Sequence, residues 1–176
     1  MPIEAGTHTI GPSNGSLKIK TGREGAAAKM GHDLVLGVGS WEATVEGGDS
    51  PSISLTADPG SIEVLDGTGG AKPLSDKDKT DIKKSIAGKV LGSSQITFSS
   101  SAIEDNGSNM TAKGDLGIAG KSTPVTVPLS ASGGKLSGSV KLSQSDFSIK
   151  QFSAMMGALK VKDSVEVVIE GQVPTS

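Results

Sequence analysis

The chain has 176 residues, 17 basic against 19 acidic for a net charge of −2, and no cysteine. This excludes disulfide frameworks, thiolate zinc sites, iron–sulfur clusters and cysteine nucleophiles. It also removes the basic footprint of a nucleic-acid binder. The core must be aliphatic, because one Trp, three Phe and no Tyr are present, and 25 glycines point to tight turns and closely approaching strands.

In chain order, Met1-Pro2-Ile3-Glu4-Ala5-Gly6 lacks a basic region followed by an apolar stretch, so the chain reads as cytoplasmic, or as the mature form of a periplasmic or secreted protein whose leader has been removed. Nowhere does an apolar run approach the ~20 residues of a membrane span. Leu17 and Ile19 begin a period-two alternation. Glu24 to Met30, with three consecutive alanines, reads as a short helix over about 24–30. Asp33 to Val38 is apolar on both faces, and a strand covered on both sides is expected there. Alternation resumes at Ile53, Leu55 and Ala57, and again at Ile62 and Val64, before a glycine-rich loop over Asp66 to Gly70.

The second half opens on the one long break in that pattern. Ser75 to Leu91 reads as an amphipathic helix, with Ile82, Ile86 and Val90 four apart, Ser75 and Asp78 placed as a capping box, and Gly92 as the stop. Its narrow apolar stripe is expected to lie on the sheet or plug one end. Strands follow at Ile96 and Phe98, Val125 to Leu129, Leu136 to Leu142, and Val165 to Ile169. Gly47-Gly48, Asn106-Gly107 and Gly133-Gly134 supply the positive φ that hairpin turns require. These runs predict a single mainly β domain over 1–176: a closed up-and-down antiparallel barrel of about eight strands.

Candidate chemistry is sparse. His8 and His32 have no i, i+4 partner, and no Gly-x-Ser-x-Gly elbow is present. His32 can hold a structural hydrogen bond, meet a polar ligand, or act as a base with Asp33 or Asp146. Asp115 to Ser122 ends in Gly-Lys-Ser but leads into the strand Thr123-Pro124-Val125, so it is a hairpin turn and no phosphate loop. Lys18, Lys20, Arg23 and Lys29 form a basic cluster suited to an acidic head group or to a solvated strand edge. Trp41, Phe98, Phe147 and Phe152, with Met155 and Met156, are most of what can line a large flexible apolar site. The Phe152 to Leu159 segment lacks period two and reads as an apolar loop or short helix at a barrel mouth, a ligand entrance or an interface.

Several phrases resemble the YceI-like family. Lys113 to Val127 is similar to the family's "gGDLtihGvtkPVtl", Ile96 to Ser100 to "itFtS", and Asp146 to Lys150 with the strand Val165 to Glu170 to "dFgIk" and its final strand. His32 followed nine residues later by Trp41 matches the family's His and aromatic. Where this family has an N-terminal aromatic the chain has His8, and Gln144-Ser145 replace a common Arg. Gly31-His32-Asp33 resembles an actinobacterial-looking branch. The resemblance implies a lipocalin-like barrel that holds an isoprenoid or other apolar chain, without catalysis or cofactor, in a protein that often dimerises. The expected ligand-facing residues are His32, Leu34, Leu36, Trp41, Phe98, Phe147, Phe152, Met155 and Met156. The competing expectations are a packed interaction or stress-response module that docks through Phe152 to Leu159, and a His32-dependent enzyme.

Overall fold

The computed structural model describes residues 3–70 and 72–175, with the backbone alone at Lys89 and Met155. The strands are β1 (Gly6–Ile10), β2 (Gly15–Lys20), β3 (Arg23–Glu24), β4 (Asp33–Val38), β5 (Trp41–Gly47), β6 (Ser52–Ala57) and β7 (Ile62–Thr68). After the helix α1 (Asp76–Ser85) come β8 (Ile96–Asn106), β9 (Asn109–Ile118), β10 (Lys121–Ser132), β11 (Lys135–Ser143), β12 (Ser153–Ala154), β13 (Leu159–Val161) and β14 (Ser164–Gln172). Eleven of them form one antiparallel sheet in the order β1-β5-β6-β8-β9-β10-β11-β14-β2-β4-β7, and β12-β13-β3 form a small second sheet.

This corrects the expectation of a closed eight-strand barrel. Edge strands β1 and β7 make no ladder with each other, and the sheet curls into a half-barrel. Its two ends are drawn together by one long hairpin. Strand β4 runs into β5 through Gly39-Ser40, and β6 into β7 through a 3-10 turn at Pro59–Ser61, with Asp58 accepting from Gly60 N–H as its cap. Gly39 N–H donates to Ser61 O at 3.1 Å and Asp58 N–H to Ser40 O at 3.0 Å, so the kinked hairpin stays paired through its corner. The strands absent from the sequence reading are β1, β5 and β9 of the large sheet and all three of the small one. In β9 the inward positions are Met110, Ala112, Gly114 and Leu116, and small residues there hide the alternation that marks a strand.

The helix forms where it was expected. Both halves of the capping box are made: Asp78 N–H donates to Ser75 Oγ (3.1 Å) and Ser75 N–H to Asp78 Oδ2 (3.0 Å). After Ser85 the coil widens into one π-turn at Ile86–Val90. The expected helix over 24–30 does not form. Arg23–Glu24 is a strand, Gly25 turns the chain at φ +104°, and only a 3-10 turn remains at Ala28–Met30. Asp66, Gly67 and Thr68 also belong to β7 and not to a loop.

The interior is filled at one end only. Ile3, Ile10, Val45, Met110, Ala131, Leu136 and Val173 pack with almost no exposure at the end where Ile3 bridges Thr175. Towards the other end, the inward side chains of β8 and β10 (Ile96, Phe98, Val125 and Val127) are only half-buried although they point inward. Side chains inside a curled sheet stay accessible only if they face space.

Candidate ligand cavity

That space is a cavity of about 400 Å³, within the usual range for small-molecule sites, roughly 300–1,000 Å³. Its walls are the inward faces of the sheet, including Leu34, Leu36, Val165 and Val167. The helical segment closes one side: Ile82, Ile86, Val90 and Leu91 recur near four-residue spacing and turn their stripe onto the opening. Lys83 Nζ–Glu63 Oε1 (3.1 Å) ties the helix to β7. Opposite, a 3-10 turn at Gln144–Phe147 places buried Phe147 beside Ile149 and Leu142, and the small sheet adds Leu159 and Val161.

A second hollow of about 140 Å³ continues towards the packed end. Ile19, Ile96, Ile118, Leu142 and Val167 line both and form a neck between them. Below the neck every lining side chain is apolar. Polar groups gather only in the upper chamber, where Thr21, Arg23, His32, Asp81, Ser85, Gln144 and Lys160 contribute to the lining. The passage thus offers one long greasy bore with polar groups confined to one end.

The mouth is braced by hydrogen bonds to backbone. His32 Nε2–H donates to Lys72 O at 2.7 Å. The Arg23 guanidinium donates to Gly31 O and pairs with Asp33 Oδ1 through Nε at 3.5 Å. The chain packs so closely here that a Cβ at Gly70, which adopts φ +73°, would stand 2.5 Å from His32 Nε2. Among the described residues His32 bonds a carbonyl and Asp33 pairs with Arg23, and no hydrogen bond joins His32 to Asp33 or Asp146. Asp78, at the start of the lid helix, is held below the ordinary aspartate range, first by the Ser75 backbone N–H and then by the Ser75 hydroxyl. Among the described residues no three acidic or histidine side chains converge as a metal site requires.

Of the sequence-derived candidates, His32, Leu34, Leu36, Phe147 and Phe152 line the upper chamber, and Phe98 lines the lower. Two are misplaced by the sequence reading. Trp41 is buried in the packed core beside the corner and lines neither chamber, and Met156 points fully into solvent. The side chain of Met155 lies outside the described residues. Of the basic cluster only Arg23 reaches the cavity; Lys20 pairs across the outer face with Glu166 at 3.9 Å. Sequence reasoning missed all five neck residues. The signal was available for Ile19, Ile96, Leu142 and Val167, each an inward position on an alternating strand, but not for Ile118, which lies on β9 where small residues hide the alternation.

A YceI-like domain model matches residues 11–173. The chain belongs to the YceI-like family. Solved structures agree on the fold. Burkholderia cenocepacia BcnA superposes with a TM-score of 0.66 at 20% identity, covering 92% of this chain and 97% of that one. The Campylobacter jejuni YCEI protein gives 0.57 at 15% identity, over 80% and 84% of the two chains. A mutant of the Campylobacter protein carrying a monobromobimane guest gives 0.58 at 14% identity over the same shares. No curated protein matches the chain by sequence. At such low identities the likeness establishes architecture. Among the described residues, no helix is long and apolar enough to cross a membrane.

Proposed function

We propose that this protein binds an isoprenoid or other lipid-like chain inside the half-barrel, as a carrier, store or sensor, without catalysing a reaction on it. The observation that carries this reading is the two-chamber apolar bore, with polar groups at one end only. Family membership points the same way. In this reading Leu34, Leu36, Phe98, Phe147 and Phe152 contact the chain, and His32 stands at the polar end. Burying roughly 400 Å² of apolar ligand surface would contribute about 10 kcal/mol at ~25 cal/mol/Å². That exceeds association costs starting from ~4 kcal/mol. Bonding of His32 Nε2–H to Lys72 O, and of Asp33 to Arg23, supports binding over acid–base chemistry.

The test is native mass spectrometry of purified protein, followed by solvent extraction and refilling with farnesol. Bound lipid, or stoichiometric uptake of farnesol, is the expected result. Ile118→Trp, which plugs the neck, should shorten the longest chain accepted without unfolding the protein. Clean extracts together with no farnesol uptake would overturn the reading.

A further inference from the structure

The rim around the cavity mouth carries a second property that the bore does not explain. Among the described residues four large hydrophobic side chains are exposed: Met30, Leu65, Phe152 and Met156. Leu65 lies on the outer face of β7 against Gly37. The other three all belong to segments that frame the mouth. Met30 ends the 3-10 turn bound to β13 through Ala27 N–H to Ala158 O (2.8 Å), while Phe152 and Met156 flank β12. Met156 is the most exposed of them and is held at φ +57°, ψ +34°, a left-handed conformation that side-chain-bearing residues rarely adopt. A scattered exposed hydrophobe is ordinary, but three on one rim mark a contact surface.

The charge around them identifies the partner. Lys29, Lys72, Lys150, Lys160 and Lys162 lie on the same rim segments, and none makes an ion pair among the described residues. Of the carboxylates at this end, Asp33 pairs with Arg23, Glu24 accepts from Gln151 Nε2 (2.6 Å), and Asp163 accepts from Ser145 N–H (2.8 Å) and Oγ–H (2.7 Å), while Asp78, Asp81 and Asp146 stand on the helix and the Gln144–Phe147 turn. The packed end carries Glu4, Glu46 and Asp49, and its Lys135 pairs with Glu170 at 3.3 Å. The rim thus presents five lysines that have no ion-pair partner among the described residues.

We infer that the rim is a docking surface for an anionic lipid bilayer. Met30, Phe152 and Met156 enter the interfacial region while the surrounding lysines meet the head groups, so that the bore opens onto the membrane. Apolar tips encircled by lysines combine the two contributions that hold a protein at such a surface. Phe152 and Lys160 also line the upper chamber, but Met30, Met156, Lys29, Lys72, Lys150 and Lys162 do not, so loss of vesicle binding with farnesol uptake retained would leave the cargo reading intact.

Co-sedimentation with phosphatidylcholine vesicles, with and without phosphatidylglycerol, tests this. Full-length protein should bind only the phosphatidylglycerol vesicles and should be released at high salt, where the screening length falls to about 3 Å at 1 M. Replacing Lys150, Lys160 and Lys162 by glutamine should weaken partitioning about fivefold for each lysine removed. Met156→Asp should abolish it, and Lys135→Gln at the packed end should leave it unchanged. Circular dichroism confirms that each variant folds. Three results would overturn the inference: no binding to either vesicle, equal and salt-insensitive binding to both, or a doubled mass by light scattering that Met156→Asp reverses without any vesicle binding, which would make the occupant a second copy of the chain.

Discussion

Ile10→Ala and Ile118→Ala delete the same atoms from two places that the structure makes energetically different. Ile10 has no exposed surface, and the backbones of Gly15 and Gly171 press against it. Those glycines are register partners in the β2–β14 ladder, so the surroundings cannot close over the space left behind. Such sites fall in the upper part of the 2–5 kcal/mol range for buried Ile→Ala, about 4 kcal/mol. Ile118 already faces open space in both chambers. Its truncation loses part of a transfer contribution and enlarges a void that exists, at roughly 1 kcal/mol. For a chain of this size each kcal/mol moves the melting temperature by ~2–4 °C, so Ile10→Ala should melt about 8–16 °C lower and Ile118→Ala only a few degrees lower. The single Trp41, buried beside the corner, reports unfolding, and the comparison uses solvent-extracted protein because any guest would add its own stabilisation. Equal losses at the two positions would refute the division into packed and hollow halves.

Gly70→Ala should cost about 1–2 kcal/mol for its positive φ alone. It should also break the His32–Lys72 bond, seen as a shift of the His32 ring resonances. Gly92→Ala, where φ is +68° with nothing within 4 Å, is the control that leaves His32 unmoved. Phe147→Ala, in the small cluster with Leu142 and Ile149, should destabilise by about 3–5 kcal/mol in urea unfolding. Because Asp78 is depressed in the folded state, its contribution to the lid helix is present above the unfolded aspartate value and is lost as pH falls through the folded one. Amide exchange at residues 76–85 should therefore quicken at acid pH, and Asp78→Asn should remove that acid step. Ser75→Ala should cost the helix about 1 kcal/mol, read by the same exchange.

Local features were legible in the sequence and long-range ones were not. The capping box at Ser75 and Asp78, the turns at Asn106-Gly107 and Gly133-Gly134, and the alternation of Leu136 to Leu142 all carry their signal within a few residues, and the structure places them accordingly. The division of the long hairpin between opposite ends of the sheet depends on the corner at Gly39-Ser40 and Asp58 to Ser61. Its hydrogen bonds join residues some twenty positions apart, and no local period reports them. Residues 24–30 misled because three alanines favour a helix, while Gly25 and pairing of Arg23–Glu24 with β13 override that preference. Trp41 was credited to the site for its size, yet size also suits it to the core. His32 was legible as a residue at the mouth, but its partner Lys72 lies 40 residues away and could not be read from its neighbours.

The half-filled interior has a consequence for the molecule as a material. At the closed end the polypeptide supplies its own filling; near the mouth it does not, and under the proposed function a guest would finish the protein as much as occupy it. Preparations that carry different loads should then behave as distinct species, with amide exchange of the upper strands slowing as loading rises while the base stays unchanged.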